Sequence, residues 1–219
     1  MNARERIMQR LRTPGKAPAT HLPDEVGLPG GGYDLEQLIA QWHAHGVPVY
    51  RAANLAAARL HLATWLQEQN IHTLVGWPEH AVGLPGLHET LHALGITWHL
   101  PPYAELEAML LKRPEGLAGL TGVHGVVGPT GTLVLVDGPH TPLLPAIVPP
   151  VHVAVILPHH LFHSLRQWWH HYRPQTRVLT LQCVPRVWAL GAPPVSSGLG
   201  PQRRYVIFVE DAEEPVTEP

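Results

Sequence analysis

One segment of the sequence matches the pattern of a zinc-dependent hydrolase. The residues from His88 to His92 read HETLH, an HExxH match that on a helix places two imidazoles on one face to bind zinc while the glutamate activates a water. The leucines of the same stretch lie about 100° around the helix from the histidines, so we predict that the histidines face solvent. We expect no bound metal and keep His88, Glu89 and His92 as an alternative zinc site.

Further histidines lie closer to the centre of the chain. His159 and His163 are four residues apart in a predicted helix, a spacing that suits a weak metal site, and we interpret them as part of a solvated helix face. His124 and His152 lie in or beside predicted buried strands. Because most buried histidines are hydrogen-bonded structural residues, we predict that role for both, with a ligand role as the alternative.

A glycine-bearing turn is the strongest candidate for a ligand site. Residues Gly128 to Thr132 read GPTGT, and proline at the second position with glycine at the fourth fits a type I turn between two strands. The same turn could hold an anion or a carboxylate with its backbone N–H groups and two threonine hydroxyls. Both interpretations stay open, and the candidate ligand residues are Gly128, Thr130, Gly131 and Thr132.

Nucleophilic catalysis has little support in the sequence. Cys183 is the single cysteine, so the chain cannot form an intrachain disulfide, a cysteine-rich zinc site or a four-cysteine iron–sulfur cluster. No GxSxG elbow or recognised Cys-His pattern surrounds it, and Ser196 and Ser197 lie in a predicted loop. We assign no catalytic residue and no cofactor, and any iron–sulfur chemistry must belong to a partner.

Charge and composition exclude several classes of partner. The 15 Lys and Arg residues nearly balance the 17 Asp and Glu residues, so no electrostatic attraction to nucleic acid or an anionic membrane is expected. Residues 138–165 have no charged side chain but contain six prolines, which a membrane-spanning helix would not tolerate. The arginine-rich N-terminus lacks the apolar region of a secretory signal. We therefore expect a cytoplasmic protein with no membrane span.

The elements that must position these residues alternate between helix and strand. This alternation predicts an α/β fold with a mostly parallel central sheet and helices packed on its faces. We predict three regions: a helical arm with a Pro/Gly-rich linker over 1–32, one α/β domain over 33–210 and an acidic tail over 211–219. Periodicity and capping patterns predict helices over 35–45, 54–69, 87–94, 103–111 and 158–172, and strands over 47–50, 73–76, 96–99, 132–136, 151–157, 177–181 and 205–209.

Five segments resemble the LUD-domain family, in particular its lactate-utilisation protein C (LutC) branch. The segments occur in the same order as in the family, and the similarity covers most of the chain. They are ARERIMQRLR at the N-terminus, TGTLVL (130–135), PPVHVAVIL (149–157), TRVLTL (176–181) and GPQRRYVIFV (200–209). The resemblance implies a Rossmann-like three-layer domain similar to the NagB/RpiA/CoA-transferase group. It also implies an accessory, non-redox part in oxidising lactate to pyruvate, beside larger iron–sulfur proteins.

The sequence departs from the family pattern at several polar positions. Pro129 stands where the family usually has a glutamate before TGT, and residues 184–192 keep little of its GPSRTADIE segment. Its HGPR motif corresponds to 199–202, where histidine and arginine are lost. The family residues that carry over are Thr130, Gly131 and Thr132, with Arg203 as a candidate partner for a small anionic ligand. The alternative functions are a small-molecule transferase or isomerase of the same fold and, third, a zinc hydrolase.

Overall fold

A computed structural model describes residues 35–103, 112, 114–174, 176–182 and 201–212. The predicted N-terminal arm and linker lie outside the described residues, as do nearly all of the predicted helix over 103–111 and most of the acidic tail. Each helix in the described part of the chain is too short or too polar to cross a membrane.

The strands of the described residues form two sheets. Their bounds are β1 (Val49–Asn54), β2 (Thr73–Gly76), β3 (Thr97–His99), β4 (Leu117–Thr121), β5 (Gly125–Val127), β6 (Thr132–Val136), β7 (Val151–Ile156), β8 (Leu161–Phe162), β9 (Val178–Gln182) and β10 (Arg203–Asp211). The larger sheet has six strands in the order β1-β10-β7-β4-β2-β3. All of its strand pairs are parallel, which confirms the predicted α/β class.

Helices connect these strands. Their bounds are α1 (Leu35–Ala44), α2 (Leu55–Glu68), α3 (Glu79–Val82), α4 (Leu87–Ala93), α5 (Leu144–Ile147) and α6 (Leu165–Tyr172), with short 3-10 helices at Gly128–Thr130 and Pro158–His160. The longest, α2, begins where the sequence predicts, because Oδ1 of Asn54 accepts a hydrogen bond from the N–H of Ala57 at 2.9 Å. This contact satisfies one of the backbone donors left free at a helix start.

The helices cover both faces of the larger sheet. On one face, Trp65 of α2 stacks on Tyr205 of β10 with ring centroids 4.2 Å apart. On the other, Gly119 of β4 packs directly against the backbone of Pro145 in α5. In the strand register Tyr205 aligns with Leu120, the residue after Gly119. Because successive residues of a strand point to opposite faces, Tyr205 and Gly119 lie on opposite faces of the sheet. The described residues therefore form a three-layer, Rossmann-like arrangement.

The smaller sheet has the strand order β8-β5-β6-β9. Strands β5 and β6 form an antiparallel hairpin around the Gly128 to Thr132 turn, β9 pairs antiparallel with β6, and β8 pairs parallel with β5. The strands predicted over 132–136 and 151–157 are both present, and they belong to different sheets: β6 to this one and β7 to the larger one.

One apolar cluster joins the two sheets and the first helix. It includes Leu133 and Leu135 of β6, Val153 of β7, and Leu38 and Trp42 of α1. The spacing of Leu38 and Trp42, four residues apart, places both on the buried face of α1. Both sheets therefore contribute side chains to this largest cluster. Two smaller clusters belong to one sheet each: Val127, Val134, Phe162 and Trp168 at the smaller sheet, and Val75, Tyr103 and Leu117 at the larger one.

Three buried tryptophans each lie against a glycine: Trp42 on Gly131, Trp98 on Gly76 and Trp168 on Gly125. A Cβ atom added to any of these glycines would lie within 2.7 Å of an indole atom. The close packing of the indoles therefore depends on the absence of a side chain at the glycine positions.

The predicted helix over 158–172 is wrong in its first half. Residues Pro158–His160 form a 3-10 turn, and Leu161–Phe162 form β8, which pairs with β5. The α-helix begins only at Leu165, because Oγ of Ser164 caps it by accepting from the N–H of Gln167 at 3.1 Å. Strand pairing and a local cap outweigh the helical periodicity here.

Candidate functional site

The Gly128 to Thr132 turn is a tight structure whose polar groups bond to each other. The N–H of Gly131 donates to the carbonyl of Gly128 at 3.0 Å, and Gly131 has a φ of 58°, which favours glycine. The hydroxyls of Thr130 and Thr132 lie 2.7 Å apart, and that of Thr130 also donates to the Val127 carbonyl. Thr132 is buried and Thr130 is exposed. The anion-binding role of these residues stays a prediction.

Helix α1 holds this turn in place. The indole Nε1 of Trp42 donates to the carbonyl of Gly131 at 3.0 Å, and the contact is buried. The amide of Gln41 donates to the carbonyl of Pro129 at 3.4 Å. The turn is thus docked through its carbonyls, which leaves its exposed side toward Thr130 as the part that a ligand could reach.

Arg203 lies in a different environment, at the start of β10. Its guanidinium donates to Oε1 of Gln69 at 3.1 Å. Together with Arg204 it lines a cavity of about 580 Å³ at the amino ends of strands β1, β7 and β10. The residues from Gly128 to Thr132 are not among the described residues that line this cavity. The structure therefore does not bring the predicted turn and Arg203 into one described cavity.

The cavity is cationic and partly aromatic. Arg203, Arg204 and His45 contribute nitrogen-bearing side chains, Trp65 and Tyr205 contribute rings, and no described lining residue is acidic. Guanidinium groups are well suited to bind carboxylate or phosphate. The cavity was not predicted as a unit, because its members come from four separate segments of the chain.

Tyr205 also belongs to a stacked polar cluster beside the cavity. Its hydroxyl lies 2.6 Å from Nε2 of His61, and the His61 ring stacks on Tyr50 with centroids 3.3 Å apart. Burial, with smaller contributions from Tyr50 and Glu68, raises the pKa of Tyr205 to about 12. Burial lowers the pKa of His61. At neutral pH the phenol is therefore protonated and the imidazole is neutral, so the cluster adds no negative charge beside the arginines.

The alternative zinc residues lie on the surface. His88, Glu89 and His92 are all exposed on α4, as the leucine stripe predicts. The His88 ring stacks near Trp98 at a centroid distance of 5.9 Å, and its backbone N–H donates to the Glu79 carboxylate. Within the described ranges, no group of three or more His, Cys, Asp or Glu side chains is arranged to hold a metal.

Three histidines of the β4 and β7 region each have a hydrogen-bond partner: His124 after β4, His152 near the amino end of β7, and His160 after β7. His152 is fully buried, and its Nε2 lies 2.9 Å from the hydroxyl of Thr121, which confirms the prediction of a buried, hydrogen-bonded residue. The Nδ1 atoms of His124 and His160 accept hydrogen bonds from the backbone N–H groups of Val136 and Leu157, each at 3.1 Å.

The burial of His160 was missed by the sequence analysis, which assigned that segment to a solvated helix face. The residue is only 9% exposed. A signal was present in Pro158, which follows the buried β7 strand and favours a turn over a continuous helix. Burial, with smaller contributions from His159 and His124, lowers the pKa of His160 to about 3.

Comparison with known proteins supports the fold and gives a family. The family model of the LUD domain matches residues 35–209. The crystal structure of a DUF162 family protein from Deinococcus radiodurans is similar, with a TM-score of 0.53 and 18% identity over 80% of this chain and 97% of that chain. At this identity the structural match supports the fold alone. No curated protein matches the sequence.

Proposed function

The chain belongs to the LUD-domain family, and on that premise we propose that it is an accessory, non-redox subunit of a system that oxidises lactate to pyruvate. The observation that carries the proposal is the family match over residues 35–209, together with the LutC-like segments of the sequence. The single cysteine supports the non-redox part, because one thiolate cannot hold a four-cysteine iron–sulfur cluster. Electron transfer then falls to iron–sulfur partner proteins.

The subunit's own contribution is to bind a small anion. Support comes from the cavity at the amino ends of β1, β7 and β10, where Arg203 and Arg204 are both present and no described lining residue is acidic. Two guanidinium groups beside neutral rings favour a carboxylate or phosphate over a cation. Arg203 is thereby kept as a ligand residue, now with Arg204 as a neighbour.

The role in lactate oxidation is tested in the native cell. The tagged full chain is purified under anoxic conditions from cells grown on lactate, and a chromosomal deletion is compared with its complemented strain on lactate and on an unrelated carbon source. We expect co-purification of a cysteine-rich iron–sulfur protein and a growth defect confined to lactate. Recovery of no such partner, together with normal growth of the deletion strain on lactate, would overturn the proposal.

The anion site is tested with the purified chain. Calorimetric titrations use L-lactate and inorganic phosphate as probes, and we expect Arg203→Gln to weaken binding about tenfold, the effect of one lost charge-assisted hydrogen bond. The control is Arg177→Gln, which removes the same charge from a side chain that is 88% exposed and lies 3.6 Å from Asp137. Equal losses in both variants would show a general charge effect and would contradict the site.

A further inference from the structure

Two histidines lie side by side at the edge opposite the arginine cavity. His124 follows the carboxyl end of β4 and precedes β5, and His160 follows the carboxyl end of β7 and precedes β8. Strands β5 and β8 are parallel neighbours in which Val126 pairs with Leu161, so the two histidines enter adjacent strands at nearly the same level. This edge, at the carboxyl ends of parallel strands, is where α/β sheets commonly bind ligands.

Hydrogen bonds to the backbone fix the tautomer of both rings. The N–H groups of Val136 and Leu157 donate to Nδ1 of His124 and His160, respectively. A nitrogen that accepts a hydrogen bond carries no proton, so in each neutral ring the proton is on Nε2. A protonated Nε2 has no lone pair for a metal. The pair is therefore arranged to donate hydrogen bonds and not to coordinate a cation.

Among the residues that the structure describes, neither Nε2–H group of His124 and His160 has an acceptor. Even so, neither Nε2 atom is among the buried polar atoms that lack a partner, which include Trp98 Nε1 and His152 Nδ1. The two Nε2 atoms therefore keep contact with solvent.

Aromatic rings border this position. The His124 ring lies edge-on to Trp77 and to Tyr172, with centroid distances of 5.3 and 6.0 Å. Apolar walls weaken competition from water and strengthen a hydrogen bond to a ligand oxygen.

We propose that the Nε2–H groups of His124 and His160 form a binding site for the carboxylate or carbonyl oxygens of a small organic acid. Two neutral donors between aromatic rings suit a partly apolar monocarboxylate better than a highly charged phosphate. A phosphate is better suited to the arginine cavity. The site is separate from that cavity, and only the choice of L-lactate and pyruvate as probes rests on the proposed function.

Nuclear magnetic resonance of the full chain with 15N-labelled histidine tests the proposal directly. Long-range 1H–15N correlations report the tautomer, and titrations use L-lactate, pyruvate and inorganic phosphate. We expect an Nε2–H tautomer for His124 and His160. We also expect saturable shifts of both rings with at least one organic acid, weaker shifts with phosphate, and no saturable shift of exposed His170 on α6.

Matched variants identify the donors. Asparagine can still accept from the backbone through Oδ1 but lacks the Nε2–H, so His124→Asn and His160→Asn should each weaken binding of the organic acid about tenfold, whereas His170→Asn should not. An Nδ1–H tautomer in either ring, shifts that grow without saturation, or equal losses in all three variants would overturn the proposal. If a variant fails to fold, the titration of the unsubstituted chain decides. These readouts use purified protein, so they are independent of co-purification and of growth on lactate.

Discussion

At the scale of single residues, the fold holds two histidines in their uncharged form. His152 is fully buried beside Thr121, and burial, with a smaller contribution from Arg204, lowers its pKa to about 3. His160 has a similar pKa of about 3. Both rings act as neutral hydrogen-bonding groups in the folded chain, and both gain protons when the chain unfolds in mild acid.

This difference predicts a loss of stability in acid. Between pH 6.5 and pH 3 these histidines are protonated in the unfolded chain but not in the folded chain, because their pKa falls from 6.5 to about 3 on folding. The free energy of unfolding therefore decreases as the pH falls toward 3. Each histidine contributes up to about 1.4 kcal/mol per pH unit in this window. Urea unfolding from pH 7 to 4.5 measures the slope, which should be shallower in His160→Asn and unchanged in the exposed-residue control His170→Asn. An unchanged slope in His160→Asn would contradict the prediction.

The Gly131 position makes a second prediction at this scale. Alanine there would keep the unfavourable φ of 58° and place its Cβ 2.5 Å from Nε1 of Trp42, so we expect a loss of about 2–4 kcal/mol in unfolding free energy. Gly46 is the matched control, because its φ is 73° and no atom lies within 4 Å of an added Cβ. Gly46→Ala should cost only about 1 kcal/mol. Equal losses in urea unfolding would show that the Trp42 contact is unimportant.

At the scale of elements, α6 presents neighbouring tryptophans with opposite roles. Trp168 is fully buried, and its Nε1 donates to the carbonyl of His124 at 2.8 Å, whereas Trp169 is 50% exposed. We expect Trp168→Phe to lower the unfolding free energy by about 2–3 kcal/mol through a lost hydrogen bond and a cavity. Trp169→Phe should change it by less than about 0.5 kcal/mol. Thermal and urea unfolding compare the two, and similar losses would contradict this assignment.

Local signals explain which elements could be predicted from the sequence. Asn54 marks the start of α2 because its cap contacts a residue only three positions away, and the spacing of Leu38 and Trp42 marks the buried face of α1. The segment containing Leu161 and Phe162 has helical periodicity but forms β8, because it pairs with β5 more than thirty residues earlier. Periodicity within one segment carries no information about a distant pairing partner.

The candidate ligand sites also divide into local parts, which the sequence predicts, and parts assembled from distant residues, which it does not. The turn from Gly128 to Thr132 is local, and Pro129 and Gly131 are enough to predict that the chain turns there between two strands. The cavity around Arg203 and the histidine pair are formed by residues far apart in the sequence. Their composition could not be deduced until the strand order was known, and the burial of His160 depends on that order too.

At the scale of the whole molecule, the two sheets share their largest apolar cluster. Leu120 of β4 and Leu133 of β6 are both at most 1% exposed and belong to the same apolar cluster. Because both leucines lie in the one cluster that joins the sheets, we expect Leu120→Ala and Leu133→Ala each to lower the unfolding free energy by about 2–5 kcal/mol within one cooperative transition. Far-ultraviolet circular dichroism and tryptophan fluorescence should give coincident urea transitions for both variants. Separate transitions in either one would contradict the shared cluster.

The tryptophan and glycine pairs have a consequence for the divergence of this family. An indole that rests on Gly125 or Gly131 leaves no room for a methyl group, so we expect a larger residue at either glycine only where the facing tryptophan has become smaller. Either change alone should destabilise the fold, so we expect the two positions to change together. At Gly76 the backbone carbonyl of Leu120 would be as close to a Cβ as Trp98 is, so a smaller residue at position 98 would not be enough. Across related sequences, Gly125 and Gly131 should therefore be replaced chiefly in lineages that have also replaced Trp168 and Trp42, respectively.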